Sequence, residues 1–150
     1  MNKLTFEIQT HQDFYNKLIE EYKDLLNQPL SSRHAINFSM TAYHLIEWIY
    51  HDDNKTKPKT LNDFRQEIKN KCPEMQIVHD IATGGKHYKL TTHNPKTEDT
   101  KLKGGAFSRG FSKAFDICLL KVEMKDGQII DFEDVAKTIM TFWDSYYNEE

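Results

Sequence analysis

At 150 residues the chain has the length of one ordinary domain, which on folding buries roughly two thirds of the surface its unfolded form exposes. With 38% hydrophobic, 12% aromatic and 29% charged residues it lies inside the globular range and away from the low-hydrophobicity, high-charge corner of disorder. Its net charge of −3, from 20 basic and 23 acidic residues, excludes a general electrostatic attraction to nucleic acid or anionic lipid, so any such binding needs a local patch.

The opening MNKLTFEIQTHQDF has no apolar run after its lysine and no small-residue cleavage site, so it does not read as a secretory signal. The first predicted helix spans about 10–27, where Phe14, Leu18, Tyr22 and Leu25 recur at helical spacing and Leu26 widens the stripe. NQPLSS breaks it, because Pro29 cannot continue a helix and Ser31 or Ser32 can cap the next. The second helix, about 32–51, carries an apolar seam at Ala35, Phe38, Ala42, Leu45 and Ile49. A second, largely polar seam runs through Asn37, Thr41, His44, Trp48 and His51.

The polar linker DDNKTKPKT leads to a short helix capped by Thr60 with Asp63 and ending before Pro73. Pro73 suits the first turn of a fourth helix, in which Met75, Val78 and Ala82 form a seam with Ile77 and Ile81 beside it. Gly84 and Gly85 each weaken that helix by about 1 kcal/mol relative to alanine; either it stops there, or packing carries it onward. Residues 91–105 read as a polar loop rich in turn formers. Lys125-Asp126-Gly127 between LLKVEM and QIIDF signals a hairpin. A terminal helix follows, with Val135, Ile139, Phe142 and Tyr146 on one stripe. The expected architecture is a single mainly α domain over 1–150, a four- to five-helix bundle with a β-hairpin inserted before the C-terminal helix.

No stretch is long and apolar enough to span a bilayer, so the chain reads as cytoplasmic, and Cys72 and Cys118, without a CxxC partner, read as free thiols. His44 and His51 lie seven residues apart, two helical turns, about 10 Å by rise and too far for one metal ion without a third element. No metal and no cofactor is assigned.

The chemistry concentrates in two constellations. One is His44 on the second helix. The other is His79, Lys86 and His87, which share a face if the fourth helix continues; if it stops, the amides of Gly85, Lys86 and His87 offer a phosphate-holding turn. A glycine pair also permits close approach of a ligand or another backbone. Bundle sites are built from facing helices, so His44, Lys86 and His87 form a sufficient catalytic set for metal-independent RNA cleavage. One imidazole deprotonates a 2′-hydroxyl, the other protonates the leaving oxygen, and lysine offsets charge on phosphorus. Asn37, Trp48, His79, Gly84, Gly85 and Arg109 are the candidate ligand-binding residues. Arg109 belongs to a basic cluster with Lys101, Lys103 and Lys113 near Gly104, Gly105 and Gly110.

The run AINFSMTAYHLIEWIY, then CPEMQIVHDIATGGKHYKL, then a hairpin and a terminal helix, resembles small bacterial and phage proteins with an H-L-x-x-W helix and a C-P…K-H helix. In general shape this is similar to HEPN-like helical domains, and the resemblance, over about residues 10–90, implies a defence- or phage-associated role and ribonuclease activity. The HEPN signature of Arg, four to six residues, then His is absent: ten residues separate Arg33 from His44, and neither Arg65 nor Arg109 has a histidine at that spacing. The resemblance therefore carries over a histidine-lined bundle rather than a matched active site. Two readings stand side by side. One is a ribonuclease acting through His44, Lys86 and His87, with RNA as partner. The other is a non-catalytic interaction module, a subunit, inhibitor or sensor. It would bind a protein, or a second copy as a homodimer, through the aromatic C-terminal helix or the 91–111 loop.

Overall fold

A computed structural model describes residues 3–52, 59–87, 93–103 and 119–149. Five helices and three strands follow in the order α1 (His11–Asn27), α2 (Ser32–Asp52), α3 (Leu61–Lys71), α4 (Met75–Lys86), β1 (Thr97–Lys103), β2 (Leu119–Met124), β3 (Ile129–Asp131) and α5 (Phe132–Asn148). The mainly helical fold expected from periodicity is present, and α2 packs against every other helix.

Local chemistry accounts for most of the boundaries. Thr10 caps α1 and Thr60 caps α3, each in a reciprocal capping box with the aspartate three residues on, which satisfies amides that the first helical turn leaves without partners. Asp131 caps α5 through the Glu133 amide. Pro73 lies in the turn that leads into α4, where the Met75 amide donates to Cys72 O. The whole apolar seam of α2, Ala35, Phe38, Ala42, Leu45 and Ile49, is buried together with Ile46 and Tyr43. Leu18 and Leu25 of α1, Phe64 and Ile68 of α3, Met75, Val78 and Ala82 of α4, and Val135, Ile139 and Trp143 of α5 complete the core. Leu26 is exposed, and Tyr15 is buried instead. No helix among the described residues is long and apolar enough to cross a membrane.

Residues 97–103 correct the expected polar loop. They form β1, which pairs antiparallel with β2 to make a three-stranded sheet of order β1-β2-β3. TEDTKLK shows no apolar alternation because β1 is an edge strand whose residues 97–102 are exposed or only half-buried, so pairing rather than side-chain pattern defines it. From the sheet, Leu120 and Val122 of β2 are buried in the core, and Met124 and Ile130 pack against it. The expected hairpin joins β2 to β3: Gly127 has a positive φ of 88°, the left-handed region that favours glycine, and its amide donates to Met124 O.

Two features fix α4 in place. The helix runs through Gly84 and Gly85 to Lys86, and the His87 amide donates to Thr83 O at 2.9 Å. The expected phosphate-holding turn does not form, since Gly85 and Lys86 stay helical and the His87 amide, at the extended C-cap, is taken up by Thr83 O. A Cβ at Gly85 would lie 3.1 Å from Ile36 Cγ2, so this glycine lets α4 and α2 approach closely.

The second feature is Asp80, buried on the same helix. Its carboxylate accepts from Gln76 Nε2 (2.8 Å), His93 Nε2 (2.7 Å) and the amides of Lys96 (3.0 Å) and Thr97 (2.9 Å). Burial alone would raise its pKa, but the bonds from His93, Gln76 and Thr97 outweigh it, and the carboxyl lies below its ordinary value.

Candidate functional site

Three helices converge on a cleft of about 190 Å³, lined by Tyr43 and His44 of α2, Arg65 of α3, and His79, Ala82, Thr83, Lys86 and His87 of α4 and its end. No carboxylate is among the lining residues. The three candidate catalytic residues, His44, Lys86 and His87, thus share one concavity. His44 and His87 are each also the edge of a neighbouring hollow.

His44 is half-buried. Burial holds its pKa below the ordinary value, Glu47 opposes that shift, and the Lys86 and Arg65 charges reinforce it. Its imidazole is therefore predominantly neutral at pH 7, the form that accepts a proton. Lys86 and His87 are exposed on the solvent side. Arg65 reaches the cleft from α3 with one nitrogen 3.2 Å from Glu47 Oε2 and its guanidinium 5.8 Å from the centre of the Tyr43 ring.

His79 has a different role from its neighbours. Its ring stacks on Tyr43 at 4.0 Å and 9°, and it lies 4.3 Å from the His93 ring. Lys69 Nζ stands 2.7 Å from His79 Nδ1. An ammonium has only donors, so Nδ1 accepts and the ring proton sits on Nε2. Burial, then the charges of Lys69 and His93, push the His79 pKa down to about 3. It is a fixed neutral imidazole, unable to act as a general acid near neutral pH.

The remaining candidates are spread out. Trp48 lines the adjacent hollow on the far side of His44, with Lys3, Glu47, His51 and Asp52. Gly84 and Gly85 line a hollow with His87 and Asp80, beside β1. Asn37 is exposed. The polar seam of α2 is not a continuous internal stripe: Thr41 is buried and receives Lys17 Nζ at 2.7 Å, His44 and Trp48 are half-buried, and Asn37 and His51 face solvent. The seam lies on the flank of α2, covered by α1 in its middle and open toward its ends. Arg109, Lys113, Gly104, Gly105, Gly110 and Cys118 lie outside the described residues, as do 91, 92 and 104–111 of the 91–111 segment. Lys101 pairs with Asp99 at 2.6 Å. Cys72 is buried, and burial with the nearby Glu74 pushes its thiol up to about 11.

Arg65 and Tyr43 were not among the residues singled out from sequence. Arg65 is far in sequence from every histidine of the cleft, and only the packing of α3 against α2 and α4 brings it there. Among the described residues no three His, Cys, Asp or Glu side chains cluster as a metal site. No family model, curated protein or solved structure matches the chain.

Proposed function

We propose that the cleft binds a phosphodiester of single-stranded RNA and that the protein is a small, metal-independent ribonuclease of HEPN-like character. The observation that carries this reading is the convergence of His44, Lys86, His87 and Arg65, from three helices, on one concavity whose lining holds no carboxylate. Arg65 is paired with Glu47 at 3.2 Å, so the attraction of the cleft for a phosphate group rests chiefly on Lys86. The arginine missing at the expected distance along the chain is supplied across the fold by α3.

In this reaction neutral His44 takes the proton of the 2′-hydroxyl. The 2′-oxygen forms a bond to phosphorus as the bond to the 5′-oxygen breaks, and His87 protonates that leaving oxygen. Lys86 and Arg65 stabilise the charge that builds on the phosphoryl oxygens. The products are a 2′,3′-cyclic phosphate and a 5′-hydroxyl.

The aromatic C-terminal helix of the interaction-module reading turns much of its ring surface inward. Trp143 of α5 is fully buried, Phe142 and Tyr146 pack against the core, and Tyr147 stacks on Tyr15 at 4.0 Å.

The test is incubation of the protein with RNA in excess EDTA. Cleavage is expected to persist and to fall by about 100-fold or more in His87→Ala, an exposed position whose loss leaves the fold intact. Equal inertness of wild type and variant overturns the reading.

A further inference from the structure

His44 is a shared wall. On one side lies the cationic cleft, and on the other a larger hollow of about 510 Å³ lined by Lys3, His44, Glu47, Trp48, His51 and Asp52. We infer that this second hollow is a nucleobase subsite, in which a base next to the phosphodiester held between His44 and His87 stacks on Trp48. The inference rests on the ribonuclease reading and deepens it by specifying unpaired RNA as the substrate.

The two hollows differ in charge in the way that adjoining nucleotide subsites require. No carboxylate lines the cleft, which holds Lys86 and the Glu47-paired Arg65, whereas the Trp48 hollow sets Glu47 and Asp52 beside Lys3 and His51. Two carboxylates disfavour a second phosphate but accept hydrogen bonds from the amino and imino groups of a base. Trp48 supplies the flat surface. It is half-buried, with Phe14 stacked on it at 4.7 Å and 12° and Lys3 Nζ over the ring 5.0 Å from the centroid, so a stacking base takes the place of that ammonium. A backed, immobile indole loses little freedom when a base stacks on it, and such stacks contribute about 1–3 kcal/mol each. Bases must be splayed from a helix to reach such a ring, so paired RNA is excluded.

The protein carries its own probe. Of its two tryptophans, Trp143 is fully buried and Trp48 alone faces this hollow, so quenching of indole emission by a ligand reports on Trp48. A mixed-sequence single-stranded 2′-O-methyl RNA octamer, which lacks the attacking hydroxyl, is titrated into wild-type protein, with inorganic polyphosphate as the base-free polyanion. The octamer is expected to quench and polyphosphate to leave the emission unchanged. Affinity is then read by anisotropy of the labelled octamer. Trp48→Leu is expected to weaken binding about 10-fold, Trp48→Phe to retain most of it without the quench, and Lys86→Ala to weaken it independently. Loss of affinity in Lys86→Ala with wild-type affinity in Trp48→Leu and no quench overturns the base subsite and leaves the ribonuclease reading standing. Octamer binding that neither variant weakens overturns both. The quench is read in the wild type, so misfolding of Trp48→Leu does not decide the outcome.

Discussion

The two flanks of α2 are closed by different chemistry. Toward α1 and α5, aromatic rings fill the space, and the hydroxyls of Tyr15 and Tyr147 find partners within the same flank. The Tyr15 hydroxyl donates to Asp144, the Tyr147 hydroxyl lies 2.9 Å from His11 Nδ1, and Trp143 is sealed from solvent. Toward α3 and α4, imidazoles and cations take the place of most of the rings, and a cleft remains where the first flank has none of comparable composition. A flank filled by closely packed rings contributes to stability. One that keeps cations and a half-buried imidazole facing a hollow gives up packing density for ligand contact.

The largest expected effect is on the first flank. Trp143→Ala is predicted to destabilise by about 3–5 kcal/mol, measured by urea denaturation; a loss under about 1 kcal/mol breaks the contrast. Next is the exception on the second flank, the buried carboxylate of Asp80. Asp80→Leu strands the Lys96 and Thr97 amides and the His93 ring, at a cost of about 3 kcal/mol.

A pH series sharpens the contrast further. His79 is lowered from 6.5 to about 3 in the folded chain, so the unfolded chain binds the extra proton between those values. Its contribution is fully present above about pH 6.5 and is lost progressively as pH falls toward about 3. Denaturation midpoints across this window should fall with acidification, and less steeply in His79→Phe, which keeps a ring against Tyr43. Equal slopes would remove His79 as a cause.

The smallest effect separates two adjacent glycines. A Cβ at Gly84 meets nothing within 4 Å, while one at Gly85 would sit 3.1 Å from Ile36 Cγ2. Gly84→Ala should stabilise by up to about 1 kcal/mol. Gly85→Ala should gain less or destabilise, and identical thermal shifts would contradict the close approach of α2 and α4.

Where sequence reasoning worked, the information was local. Thr10–Asp13 and Thr60–Asp63 announce helix starts, Asp126-Gly127 announces the hairpin, and the α2 seam at Ala35, Phe38, Ala42, Leu45 and Ile49 is buried to the last residue. β1 was hidden because a polar edge strand buries no face. In the cleft, residue type pointed to His44, Lys86 and His87, whereas Arg65 and Tyr43 owe their place to helix packing that no spacing encodes. Asp80 stands directly beside His79 in sequence, yet nothing local marks it as the acceptor for a segment that begins 13 residues later.

The Asp80 carboxylate has one further consequence, for strand register. Because TEDTKLK buries no face, sliding β1 along β2 by one residue would expose and bury almost nothing new, and side-chain pattern cannot specify which pairing is correct. The carboxylate can, since only one alignment delivers the amides of both Lys96 and Thr97 to it, immediately before the irregularity between Thr97 and Asp99. A single side chain on a helix thus serves as the ruler against which the edge of the sheet is measured. The information that places the strand is held by α4 rather than by the strand itself.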